Sequence, residues 1–268
     1  MKTRLGPLET RLLAYAQLRR QTLLRRGSLA RELRLTPDQE AALLSRLARA
    51  GLIARVRAGV YLVPATLPLG GAWSPSEGLA LNALMREYGA SYQVCGPNCF
   101  DYYDYDDDNQ IPNRVYAYND KLSGTRRVGS INLVLVKVAK ARLGDTETVR
   151  DSDGVVTPYS SRVRTLVDAV YDWSRFQSLP RAFDWIAADL KSRKIATSRL
   201  VDCTLKFGDV ATLRRMGALL ERQRAAPKLL ARLDRSLRST TATIPWIPGR
   251  PKRGRIDRRW GVVWNDDP

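Results

Sequence analysis

Residues 28–63 constrain the fold more than any other stretch of this chain, because they pair two capped helical patterns with an alternating hairpin pattern. Ser28-Leu-Ala-Arg-Glu-Leu-Arg-Leu reads as a short helix with Ser28 as its N-cap. A second helix follows, with Thr36 as N-cap, Pro37 at its first position and Gln39 closing a capping box. Gly51 supplies the stop. The segments 52–56 and 59–63 alternate as two short strands around the basic turn Arg57-Ala58-Gly59. Two helices followed by a basic hairpin predict a winged helix-turn-helix, in which one helix fits the DNA major groove and the hairpin reaches the backbone.

The two faces of the second helix separate by spacing. Leu43, Leu44, Leu47 and Ala48, with Glu40 beside them, fall on the side expected to turn inward. Gln39, Ala42, Arg46 and Arg49 fall opposite, at offsets of three, seven and ten residues. Glutamine pairs bidentately with adenine and arginine with guanine, and a small alanine permits close approach. Thr36 opens the same helix, and Arg55 and Arg57 on the hairpin suit phosphate oxygens. The competing reading is a helical pair and hairpin used for dimerisation, with the arginines as a solvated face.

Charge placement favours a polyanion. The chain has 268 residues and a formal net charge of +18. Residues 1–64 hold 13 lysines and arginines against 4 acids; 65–174 hold 11 against 14; 175–268 hold 21 against 9. Two basic ends around a slightly acidic middle point to nucleic acid. There is no histidine, which removes the commonest general base and histidine-ligated zinc. Cys95, Cys99 and Cys203 are an odd set without a repeated pair, as expected of reduced thiols rather than a disulfide framework or a metal site. Arg19 and Arg20 interrupt the first apolar run, and no stretch approaches the ~20 apolar residues of a membrane helix. These features predict a soluble cytoplasmic protein without a cofactor.

Length allows two modest domains, and the turn-rich segment Pro64 to Gly71 marks the expected boundary, giving 1–66 and 72–268. In the first, residues 7–24 read as a supporting amphipathic helix with Leu8, Leu12, Leu13, Tyr15 and Leu18 available for a core. In the second, a helix over 78–89 precedes strands at 92–97 and 114–119. Between those strands, Asp101 to Asp108 is dense in aspartate and tyrosine and reads as a solvated loop with packed tyrosines; a magnesium site and an acidic docking patch are the alternatives. Residues 130–139 form the most apolar strand, suited to an interior position in a sheet. A hairpin-like stretch and a run of helices to about Arg238 follow. Arg164 and Asp168 are placed to pair along the first of these helices, for a few tenths of a kcal/mol on an exposed face. The end of the chain is basic and proline-broken, with Trp246, Trp260 and Trp264 either packed on the helices or lending themselves to phosphate contact. Strands followed by helices make the class α+β.

Taken in order, RAGVYLVP, SPSEGLALNAL, QIPNRVYAYND, RVGSINLVLVKV, SSRVRTLVDAVYDW and RRWGVVWN resemble the AbiEi antitoxins of bacterial AbiE-type toxin–antitoxin pairs, over about Leu12 to Asn265. The resemblance implies an amino-terminal winged helix-turn-helix and a mixed α+β antitoxin domain with carboxyl-terminal helices. It further implies repression of the protein's own operon through promoter inverted repeats. It implies counteraction of a nucleotidyltransferase toxin without an obligatory stable complex. The recognition-helix role then falls on Gln39, Ala42, Arg46 and Arg49, and the wing role on Arg55 and Arg57. The segment Asp101 to Asp108 is no signature of that family.

Two other readings compete. One is a transcriptional regulator whose second domain senses a ligand. The other is a nuclease, which would need an acidic pair beside Lys137 or Lys140; no acid stands two positions before either lysine, leaving Asp106 to Asp108 as the candidates. A non-enzymatic antitoxin binding double-stranded operator DNA is the expectation. A single unit reads one half-site, so an inverted repeat calls for two copies, meeting in solution or on DNA.

Overall fold

The computed structural model describes residues 5–66, 72–106, 112–151, 153–238 and 241–266. The chain begins α1 (Pro7–Leu18), β1 (Leu23–Arg25), α2 (Ala30–Leu33), α3 (Pro37–Arg49), β2 (Ala54–Arg57) and β3 (Val60–Leu62). It continues through α4 (Glu77–Glu87), β4 (Tyr92–Val94), α5 (Pro97–Tyr102), β5 (Arg114–Asn119), β6 (Gly124–Val128), β7 (Ile131–Lys137), β8 (Thr146–Arg150) and β9 (Val156–Ser160). Helices α6 (Arg162–Tyr171), α7 (Trp173–Phe176), α8 (Arg181–Lys191), α9 (Thr197–Phe207), α10 (Val210–Arg222) and α11 (Pro227–Arg235) come next. Three short strands close it: β10 (Ile244–Pro245), β11 (Arg255–Asp257) and β12 (Val262–Trp264). The class is mixed α+β.

Two three-stranded sheets are ordered β1-β3-β2 and β10-β12-β11, and a six-stranded sheet is ordered β6-β7-β5-β4-β9-β8. In the large sheet β7 pairs antiparallel with β6 and parallel with β5, so the most apolar strand is interior as its sequence requires. The chain divides into two compact units. One comprises Met1–Gln93, Ile111–Leu143 and Thr148–Pro158; the other comprises Val94–Gln110, Gly144–Glu147 and Tyr159–Pro268. The helix pair, the hairpin and strands β5 to β7 therefore belong to the same unit.

In the first unit, α3 buries Leu43, Leu44 and Leu47 against Leu12, Leu13 and Leu29. Fully burying three such side chains contributes roughly 5–8 kcal/mol before chain entropy is charged against it. The helix stops as its residues dictate: Gly51 has φ +69°, and the N–H groups of Gly51 and Leu52 donate to the carbonyls of Ala48 and Leu47, a Schellman closure. The supporting helix is shorter than its pattern suggested. Leu23 and Leu24, expected at its end, pair with β3 together with Arg25, because an edge strand beside the hairpin satisfies their backbone groups. Leu8 and Leu18, expected in the core, are exposed, while Leu12 and Leu13 are buried.

Ser28 is not the cap of the short helix. The N-cap is Leu29, without a side-chain cap of its own. The work is done from α3: the fully buried Glu40 carboxylate accepts from Gly27 N–H (2.7 Å) and Leu29 N–H (2.9 Å). One side chain thereby ties α3 to the start of α2. Glu40→Ala strands both donors; Leu29 is buried while Gly27 is exposed, so at about 1–3 kcal/mol per buried orphan a loss of about 1–3 kcal/mol is expected in urea unfolding of the full chain. Elsewhere in this unit α4 lies on β5 and β7 and buries Ala80, Leu81, Leu84 and Met85.

The second unit is built around α6, which buries Leu166, Val167 and Val170 and is packed by α8, α9 and α10. Arg164 and Asp168 pair as their spacing allows, Nε to Oδ2 at 2.8 Å, and the pair is buried, their side chains being 0% and 1% accessible. Arg164 also donates to the Gly144 carbonyl, and its guanidinium lies over the Phe207 ring at 3.9 Å. The three tryptophans of the chain end are buried. Trp260 fills the space left by Gly217 on α10, where a Cβ would strike the indole, and its Nε1 donates to Glu221 at 2.6 Å. Cys95, Cys99 and Cys203 are buried and in no disulfide among the described residues, and burial pushes the Cys99 and Cys203 thiols well above their ordinary range.

The tyrosine–aspartate segment is ordered structure as far as it is described. Tyr103 is buried, and its hydroxyl lies 3.0 Å from the Ser160 carbonyl and 3.1 Å from Glu147. Tyr105 stacks on Trp185 and donates to Asp189, while Asp106 is buried and bound by Arg181 at 2.7 Å. Asp107 and Asp108 lie outside the described residues. No helix among the described residues is long and apolar enough to cross a membrane.

Candidate nucleic-acid interface

The capping box at the start of α3 is formed. Thr36 Oγ1 accepts from Gln39 N–H at 3.2 Å, and Gln39 Oε1 accepts from Thr36 N–H at 2.9 Å. Pro37 follows Thr36 at the helix start. Gln39 is thus held by its carbonyl end, which leaves its amide NH2 as the donor group available to a ligand. Ala42, Arg46 and Arg49 are exposed with it along the same face. They differ in engagement. Arg46 donates to Glu9 of α1 at 3.1 Å, whereas Arg49 has no hydrogen-bond or ion-pair partner among the described residues.

The hairpin turns at Gly59, whose φ of +74° is the left-handed geometry a tight turn asks for. Arg55 and Arg57 are both exposed on one face of β2, with a bulge between them in its pairing with β3. Among the described residues Arg55 makes one hydrogen bond, from Nε to the Arg57 carbonyl at 3.4 Å. Arg57 is committed elsewhere, donating to Glu87 at the end of α4 at 2.9 Å. Arg25 on β1 grips the same carboxylate with both guanidinium nitrogens, one of them at 3.0 Å.

Register explains why the two arginines converge. Arg25 and Arg57 are the partners of Val60 from the two sides of the central strand β3. Glu87 receives both, with its side chain only 4% exposed. Burial alone would raise its carboxyl, but the hydrogen bonds and charges of Arg25 and Arg57 outweigh that and hold it below its ordinary value of 4.5. A carboxyl lowered in this way stabilises the fold above 4.5 and loses that contribution as pH falls through its folded value. Neither Arg25 nor Glu87 carried a signal in the sequence; Glu87 sits in the last turn of an ordinary amphipathic helix.

Among the described residues there is no cluster of three or more cysteine, aspartate or glutamate side chains arranged to hold a metal ion. Asp106, one of the carboxylates considered for a nuclease, is neutralised by Arg181.

No family model matches the chain, and no curated protein matches it. Among solved structures it is similar to the RV2827C protein from Mycobacterium tuberculosis, with a TM-score of 0.61 at 15% identity. That likeness covers 97% of this chain and 92% of the other. At such identity it is a likeness of fold, running through both units and not confined to the helix pair.

Proposed function

We propose that the protein is a DNA-binding antitoxin of the AbiEi type, whose α2–α3 pair and β2–β3 hairpin act as a winged helix-turn-helix on its own promoter. The observation that carries this reading is the exposed face of α3: a free Arg49, the amide of Gln39 and the small Ala42, on a helix closed at both ends and placed beside an arginine-bearing hairpin. Arg49 and Gln39 have the chemistry for base edges, Arg55 for phosphate. The net charge of +18 favours association with a polyanion and steep salt dependence. The antitoxin half of the proposal rests on the ordered motifs, and its partner is a nucleotidyltransferase toxin encoded beside it.

The test is growth rescue paired with a gel shift. The neighbouring gene expressed alone is expected to arrest growth, and the full chain in trans to restore it. The same chain is expected to retard the operon's own promoter but not scrambled DNA. A harmless neighbour would remove the antitoxin; an unretarded promoter would remove the repressor.

The Glu87 clamp makes a separate prediction. With the carboxylate present, Arg25 and Arg57 must trade an existing ion pair for a phosphate. Glu87→Gln removes the competing charge, so DNA binding is expected to tighten. The slope of log K against log salt should steepen by about one to two units, near 0.9 per freed contact. Filter binding between 50 and 200 mM salt measures it, and an unchanged slope would show that neither arginine meets DNA.

A further inference from the structure

A second cationic site lies in the other unit. Arg214, Arg238, Arg258 and Arg259 line one cleft of about 260 Å3 together with Asp234 and Gly261. That is below the ~300–1,000 Å3 usual for organic ligand sites, and suits a small anion or the end group of a larger one.

The balance of charge inside it is uneven. Arg259 is spoken for, donating to Glu221 at 2.7 Å and to Asp234 at 3.3 Å. Those two acids are thereby used. Arg214 is only 6% exposed, and its polar contact is a single hydrogen bond, Nη1 to the Ala242 carbonyl at 2.9 Å. No carboxylate stands within 4 Å of it among the described residues. A guanidinium has five donors, and a buried one is ordinarily matched by an anion. Among the described residues no carboxylate supplies that anion, and Gly261 lies against the group, where a Cβ would stand 3.5 Å from Cζ. Arg238 and Arg258 stand exposed at the same cleft, with no partner among the described residues. Arginine forks fit the oxygens of a phosphoryl group with two parallel hydrogen bonds, which makes that group the best match to the donors present.

We propose that this cleft binds a phosphoryl dianion, with Arg214 at its base and Arg238 and Arg258 closing on the outer oxygens. The recognised chemistry is the phosphoryl group itself, whether supplied as free phosphate or as the end of a phosphomonoester.

Calorimetric titration of the full chain with inorganic phosphate, against sodium chloride at matched ionic strength, tests it. A nucleoside monophosphate and the parent nucleoside serve as further titrants. One site is expected for phosphate and for the monophosphate, and none for the nucleoside. Equal affinities would assign the site to the free group, and a monophosphate at least tenfold tighter would assign it to a phosphomonoester. An Arg238→Ala/Arg258→Ala variant changes only exposed side chains, and is expected to bind at least tenfold more weakly with an unchanged melting temperature. Arg214→Gln keeps a donor for Ala242 and is expected to lose binding as well. Phosphate binding no stronger than the salt control, or a double variant that binds as the parent does, overturns the proposal.

Discussion

Gln39→Ala combined with Arg49→Ala, in the full chain, is expected to weaken binding to the operon's promoter by about 2–6 kcal/mol, at 1–3 kcal/mol for each lost base contact. That is a loss of roughly thirtyfold or more, since each 1.4 kcal/mol is a factor of ten. Arg49 has no partner among the described residues, so its hydrogen-bonding capacity is available to a base edge. Gln39 spends its carbonyl oxygen on the capping box and presents the amide NH2. Arg46→Ala should cost less than Arg49→Ala, because Arg46 must first leave Glu9. Removing Gln39 also opens one bond of the cap, so circular dichroism must show the helix content retained before the gel shift is interpreted. Equal retardation of parent and double variant would strip α3 of a reading role, leaving the helical pair and hairpin as a surface for self-association.

Asp168→Ala is expected to destabilise the second unit by about 3–5 kcal/mol, enough to remove much of the stability of an ordinary domain. The cost is that of the charge left behind. Arg164 is fully inaccessible and cannot turn to water, and neither the Gly144 carbonyl nor the face of Phe207 carries the full negative charge that Asp168 supplies. Asp168→Asn, which preserves shape and an acceptor oxygen, should cost less. Replacing both members with apolar residues of similar volume should recover part of the loss, because neither ion then has to be desolvated. Urea midpoints for the three variants decide the matter: a double variant no more stable than Asp168→Ala would mean that the pair matters for its bonds and not for its charge.

Legibility followed the range of the interaction. The second helix of the amino-terminal pair could be read residue by residue, since its cap, its proline, its apolar spacing and its glycine stop are all signals within one or two turns. The exposed face bearing Gln39, Ala42, Arg46 and Arg49 came with it, because three buried leucines leave a helix only one other side. The strand Ile131–Lys137 was equally plain, its apolar run being long enough to demand cover on both sides.

What was not legible depended on partners far away in the chain. The sequence of α2 offers Ser28 as a cap, but the free amides are taken by Glu40, eleven and thirteen residues on. Arg164 and Asp168 have a spacing that looks the same on any helix, and only the packing of α8, α9 and α10 around α6 turns a weak surface pair into a buried ion pair. Arg57 reads as a free cation of a hairpin until Glu87, thirty residues away, takes it.

The sequence by itself therefore determined the mixed α+β class, the capped helix and its exposed face, the hairpin, and the charge that inclines the molecule toward polyanions. These follow from backbone propensities and from spacings within a helical turn or a strand pair. The tertiary structure alone decided how each arginine is engaged among the described residues: Arg49 and Arg55 outward, Arg25 and Arg57 on Glu87, Arg164 on Asp168, and Arg214 buried with no carboxylate on it. A guanidinium is the same letter in every one of these places. Its availability is set by the few ångströms to the nearest carboxylate and by how much water reaches it, and both are properties of the packed chain.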